Sequence, residues 1–205
     1  MSGSSEILQD HSLLSKLDRL FFKLETFLAL LGGITIFMLV VLAVVNVLGR
    51  WLFSLPVSGY IDWVEQFMAV FAFLGIAYCQ RLGGHIRMDI FVSHIKGRIL
   101  WLSEFISTLM MLIITLVLVY GSYLHFLRAF TFGDSSMDIS LPIWPAKLVV
   151  PFALSVLALR LILQLWGYAR AFNENSDAPI AVPLIEDAAT QAANEAATVS
   201  IQEQK

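Results

Sequence analysis

Cysteine is almost missing from this 205-residue sequence; Cys79 is the single example. One thiol excludes an intrachain disulfide framework, a CxxC redox motif and a paired-cysteine zinc site. Charge is scarce as well. Asp, Glu, Lys and Arg make up 14% of the chain, against roughly 25% in ordinary soluble domains. Their balance of −3 excludes the basic footprint of a nucleic-acid binder. Glycine supplies no phosphate loop, because Gly32-Gly33 lies inside an apolar run and Gly83-Gly84 lacks the following Lys-Ser/Thr.

The few histidines exclude more chemistry. A haem bundle needs axial histidines facing one another across helices. His11, His85, His94 and His125 are scattered through end segments, with no partners at one depth. Intramembrane proteolysis needs paired aspartates, a Ser/His pair or HExxH on a helix. Asp62 and Asp89 fall on opposite sides of the topology derived below, so they form no dyad. Nothing points to an enzyme or to a bound cofactor.

What is abundant is apolar surface. Apolar residues make up 58% of the chain and its mean hydropathy is +0.78. The excess gathers in four blocks at about 27–49, 61–80, 99–122 and 143–166. Each is long enough to cross a hydrocarbon core of ~30 Å. The expected fold is an all-α membrane protein with four transmembrane helices. The first block is longer than the roughly 7–15 apolar residues of a secretory signal and no small-residue cleavage site follows it, so it is expected to be a retained span.

Segments outside the spans are legible too. Leu13, Leu17, Leu20 and Leu24 form one helical stripe and Lys16, Arg19 and Lys23 another flank. That split predicts an N-terminal amphipathic helix in the headgroup plane, its cations near anionic lipid. Residues 1–25 are accordingly an N-terminal interfacial segment. Residues 26–170 form the four-span domain, with a short surface helix over Met88–Ile95 between spans two and three. Phe126–Leu141 reads as a polar connection, and Pro151 is expected to kink the fourth span. Residues 171–205 carry Glu174, Asp177, Glu186, Asp187, Glu195 and Glu203 against Lys205 alone. Such a stretch buries too little apolar area to offset its ordering entropy, which predicts a disordered acidic tail.

Cations set the orientation. With the N-terminus inside, Lys16, Arg19, Lys23, Arg81, Arg87, Lys96, Arg98, Arg160 and Arg170 lie on or near the cytoplasmic side. Arg50, Arg128 and Lys147 remain outside. This positive-inside bias places both termini in the cytoplasm of a multi-pass membrane protein, among the lipids of that membrane.

Polar residues crowd the ends of the spans and leave their middles apolar. A self-contained transporter would show broken helices or midplane ions, so the pattern suits a scaffold packed against other membrane helices. Arg50 is placed to meet Asp62 or Glu65 across the first hairpin. Glu104 and Arg160 share a cytoplasmic depth with opposite sign and form a candidate pair, because buried membrane ions pair or snorkel. Outside, Arg50, Asp134 and Asp138 are candidates for docking a partner, since surface charge steers association. Glu65, Gly84, His85, Arg87, Asp89, Glu104 and Arg160 are candidates for structure and assembly. From residues alone, a membrane anchor or assembly subunit of a redox or signalling complex stays open.

Four motifs add a resemblance. Arg50-Trp51-Leu52-Phe53 closes span one and Trp63-Val64-Glu65 opens span two. Phe73-Leu74-Gly75 follows within span two, and Arg81-Leu82-Gly83-Gly84-His85-Ile86-Arg87-Met88-Asp89 makes the turn after it. In this order they resemble the small membrane subunit of TRAP transporters (tripartite ATP-independent periplasmic transporters), the DctQ-like family, over about residues 20–170. Gln66 departs from the family, where a second acid often follows the glutamate. The resemblance implies a large DctM-like permease subunit that holds the sodium and substrate sites. It also implies a periplasmic substrate-binding protein delivering an organic acid, conventionally a C4-dicarboxylate. No cofactor is implied for this chain, because sodium coupling belongs to the large subunit.

Overall fold

The computed structural model describes residues 13–81 and 98–174. Within them run five helices: α1 (Leu13–Phe53), α2 (Tyr60–Leu74), α3 (Ile76–Arg81), α4 (Arg98–Phe132) and α5 (Trp144–Glu174). An isolated bridge between Ser135 and Pro142 is the one extended pairing among the described residues. Helix is what an apolar solvent demands, because every backbone N–H and C=O must be satisfied within the segment. Gly75 parts α2 from α3 while keeping right-handed angles (φ −85°, ψ −10°). The pair therefore counts as one span. Four segments are long and apolar enough to cross a membrane: Ser15–Phe53, Tyr60–Arg81, Trp101–Phe132 and Trp144–Phe172. The expected all-α, four-span architecture is the observed one.

The helices are longer than the apolar blocks. At 1.5 Å per residue, the 41 residues of α1 reach about 60 Å and the 35 of α4 about 50 Å. Both exceed a ~30 Å hydrocarbon core, so their ends project into headgroups or water. The N-terminal stretch with the leucine stripe is continuous with the first span. Its buried face is the polar one: Ser15, Asp18 and Glu25 point inward with Leu28, while Leu20 and Leu24 are exposed. Leucine gains little by leaving lipid for protein, whereas a carboxylate gains a partner.

The connection expected over 126–141 is shorter. α4 continues to Phe132, with the Thr131 hydroxyl donating to the Leu127 carbonyl (2.8 Å) and Phe126 packing on Phe130. It stops at Gly133, whose φ of 66° lets the Asp134 N–H reach the Ala129 carbonyl at 3.1 Å. The polar residues His125, Arg128 and Thr131 decorate a helix that outlasts its apolar block. α5 passes through Pro151, which removes one backbone donor.

The described residues fall into two compact units. One comprises residues 13–20, 79–81, 98–111 and 161–174, and its core is Trp101, Tyr168 and Ala171 with Phe105 against them. The rings of Trp101 and Tyr168 stack with centroids 6.3 Å apart. The other comprises residues 21–78 and 112–160. There Gly32 of α1 meets α2, where an added Cβ would touch Leu74 Cβ at 3.6 Å and the Phe71 carbonyl at 3.7 Å. Ala153, Leu154, Val156, Leu157 and Ala158 of α5 are also buried in this unit.

Candidate functional site

In the first unit, polarity is spent on internal pairing. Asp18 of α1 accepts from Arg81 of α3 at two points, Nη2–Oδ2 at 2.8 Å and Nε–Oδ1 at 3.5 Å, with both side chains buried. This two-point geometry suits a planar guanidinium. Next to Arg81 in sequence, Gln80 donates through Nε2 to Gln164 Oε1 at 2.8 Å. Gln164 Nε2 donates back to the Gln80 carbonyl at 3.3 Å. Glu104 is buried in this unit as well.

The second unit holds another buried ion pair. Arg160 Nε of α5 lies 3.7 Å from Glu25 Oε1 of α1, and both side chains are fully enclosed. Glu25 is thus one acid beside Arg160. Sequence reasoning gave Asp18 and Glu25 no partners, and it missed Gln80 and Gln164. A signal was present: Ser15, Asp18, Glu25 and Leu28 recur at intervals of three and seven, which places them on one helical face.

The same unit carries two closely tied turns. After α1, Ser54 adopts a left-handed φ of 54° and the Leu55 N–H bonds the Gly49 carbonyl at 3.0 Å. A Cβ on Gly49 would sit 2.7 Å from the Leu55 carbonyl oxygen, so the close approach requires glycine. Asn46 Oδ1 then accepts from the Val57 N–H at 3.0 Å. Between α4 and α5, the segment 133–143 is laced by Ser136 N–H to Leu141 O (2.9 Å), Leu141 N–H to Ser136 Oγ (2.9 Å) and Ile143 N–H to Asp134 O (3.2 Å).

Asp62 fastens this second turn. Its Oδ2 accepts from Ser136 Oγ at 2.6 Å and from the Ile139 N–H at 3.0 Å. Gly59, at φ 65°, lets the Ile139 side chain lie where its own Cβ would be, with three Ile139 carbons 2.7 Å from that point. Asp62 is therefore a loop anchor, and the ion pair expected between Arg50 and Asp62 or Glu65 does not form among the described residues. Arg50 is exposed in the last turn of α1, where a cation complements the helix dipole. Glu65 is exposed on α2. Asp134 is half-exposed and pairs with Lys147 at 3.3 Å, whereas Asp138 is exposed. Gly84, His85, Arg87 and Asp89 lie outside the described residues, as do Met88–Ile95 and the acidic tail beyond Glu174.

These observations describe apolar helices in which Asp18 and Glu25 are matched by Arg81 and Arg160, with an ordered polar loop between α4 and α5. A family model described as tripartite ATP-independent periplasmic transporters, DctQ component, matches residues 39–171. The chain belongs to this DctQ family. DctQ is a transporter component and not an enzyme family, so this DctQ chain is a multi-pass membrane subunit of a tripartite system. No curated protein matches it. The DctQ match contains Arg81 and Arg160 but begins after Asp18 and Glu25. The Asp18–Arg81 and Glu25–Arg160 pairs of this DctQ chain thus each join a cation of the matched region to an acid outside it.

Proposed function

We propose that the chain is the small permease subunit of a TRAP-type secondary transporter. It braces a large DctM-like subunit and helps dock a periplasmic substrate-binding protein, for sodium-driven uptake of organic acids such as C4-dicarboxylates or other carboxylates. The family match over 39–171 carries this reading. The exposed surface agrees with it: along α1, Leu30, Ile34, Phe37, Val41 and Leu48 face outward. Such a surface serves lipid and neighbouring helices, and it offers a carboxylate no donor. The sodium and substrate sites then belong to the large subunit.

In this reading the protein lies in the bacterial inner membrane with both termini cytoplasmic, as the cation count favours. Lys16, Arg19 and Lys23 of α1 lie near anionic headgroups there, and the turn 133–143 faces the periplasm. The deciding experiment is reconstitution. Purification should bring down a large, many-span subunit, and liposomes holding both membrane subunits should take up an acid only with the binding protein and a sodium gradient. Accumulation by this chain alone would overturn the reading, as would a haem spectrum in the purified complex.

A further inference from the structure

Asp18, Glu25 and Asp62 each receive a cation or a hydrogen-bond donor from this chain. Glu65 does not. It is exposed on α2, and it forms no hydrogen bond or ion pair among the described residues. The surface around it makes that exposure costly. Ile61, one turn before it, is 60% exposed, and Met68, one turn after it, is 51% exposed. The carboxylate thus stands between apolar side chains on a helix that crosses a membrane. Its span, Tyr60–Arg81, has 22 residues, about 33 Å, which leaves little length beyond a ~30 Å hydrocarbon core. A glutamate in such a place calls for a donor at its own depth, because ionised groups on spans pair with one another or with polar backbone.

The face around Glu65 is shaped for another helix. Ile61, Glu65, Met68 and Ala72 are all exposed, and their spacing of four, three and four is that of a helix seam, which Gly75 continues. Gly75 keeps right-handed angles, and a Cβ there would meet nothing within 4 Å. Neither the backbone nor this chain's own packing uses its missing side chain. Gly32 is the contrast, since its Cβ would already touch Leu74. Ala72 and Gly75 therefore leave a shallow notch beyond the carboxylate, where a second backbone can come close. Lipid needs no such notch, and the exposed Leu30, Ile34, Phe37 and Val41 of α1 are bulky throughout.

A second copy of this chain fits the seam badly. Two copies share one orientation in the membrane, so a two-fold pairing along this seam sets Glu65 opposite Glu65. Two carboxylates at one depth disfavour each other's ionised form. The fitting occupant is a membrane helix of a different protein that presents a cationic or amide donor at this level. We propose that Glu65 is the polar contact by which this subunit holds a helix of its membrane partner, seated along Ile61, Met68, Ala72 and Gly75. The inference rests on the function proposed above, which makes that partner the large permease subunit. It gives the bracing a face and a register, since the carboxylate fixes the depth of the contact and the notch its closeness.

The test uses the complex of both membrane subunits, purified through a tag on this chain. Glu65→Lys should lower recovery of the large subunit about tenfold or more, because it sets a cation against the partner's donor. Glu65→Gln, which still accepts a hydrogen bond, should lose less. Gly75→Leu, which fills the notch, should lower recovery about fivefold or more. The Glu65→Lys chain purified by itself should keep the wild-type thermal midpoint, which separates lost assembly from lost folding. A photo-crosslinking benzophenone residue substituted at Met68 should capture the large subunit. Full recovery with Glu65→Lys, or capture at Met68 of a second copy of this chain or of lipid alone, overturns the contact and leaves the proposed function standing. Wild-type chain that brings down no large membrane subunit overturns the proposed function itself.

Discussion

Asp18 and Arg81 form a buried ion pair with two contacts, 2.8 and 3.5 Å, that fixes the start of α1 against the end of α3. Removing one partner of a buried ion pair costs about 3–5 kcal/mol in proteins generally. Asp18→Ala and Arg81→Ala should each lower the thermal midpoint of the detergent-solubilised protein strongly. The double change Asp18→Leu with Arg81→Met should recover more than half of either loss, because it removes both desolvation penalties. A double variant as unstable as the singles would show that the pair contributes by more than charge matching.

Among the described residues, the two left-handed glycines make a contrasting pair. Gly59 has φ 65° and the Ile139 side chain on top of it, whereas Gly133 has φ 66° and open space. Gly133→Ala should therefore cost only the backbone strain, about 1 kcal/mol. Gly59→Ala adds a clash that displaces Ile139 and should cost about 2–3 kcal/mol. Proteolysis within 133–143 measures the second effect directly, since only Gly59→Ala should speed cleavage there beyond what global unfolding explains.

The Gln80–Gln164 exchange tests how much a hydrogen-bonded amide pair contributes between membrane helices. Interhelical bonds of this kind average about 0.6 kcal/mol and reach about 1.7. Gln164→Met should destabilise by about 1 kcal/mol, and Gln80→Met together with Gln164→Met by less than the sum of the singles. Additive losses in chemical denaturation would mean that the two amides act independently despite their 2.8 Å contact.

Asn46 offers a smaller test in the first turn. Its carbonyl oxygen accepts the Val57 N–H at 3.0 Å, so a carboxylate in its place keeps the acceptor. Asn46→Ala should cost about 1 kcal/mol and Asn46→Asp less, read as shifts in thermal midpoint.

Much of the fold was legible because lipid imposes simple rules. An apolar block of sufficient length becomes a helix, and all four did. Where those helices stop was less legible. α4 outran its apolar block to Phe132, since a helix leaving the membrane keeps its backbone bonds whatever its side chains. The contacts among helices were the hardest to read. Arg160 was visible as an ion in need of a counterion, but a single sequence does not say which helix face turns toward it. Glu25 lies 135 positions away, at the end of the N-terminal segment and outside both of its named stripes. The stripe drew attention to the leucines, although in lipid the polar face carries the information. Asp62 was read as a partner for Arg50 across the first hairpin, whereas its bonds to Ser136 and Ile139 depend on a turn 74 and 77 residues away.

The enclosed meeting of Glu25 and Arg160 also sets a timetable for biogenesis. Those 135 intervening positions take on the order of 10 s to emerge from a ribosome at roughly 5–20 residues per second. Throughout that interval the leading hydrophobic hairpin must shelter a carboxyl group whose guanidinium has not yet been synthesised. A helix inserted ahead of its partner is consequently among the last to be finished.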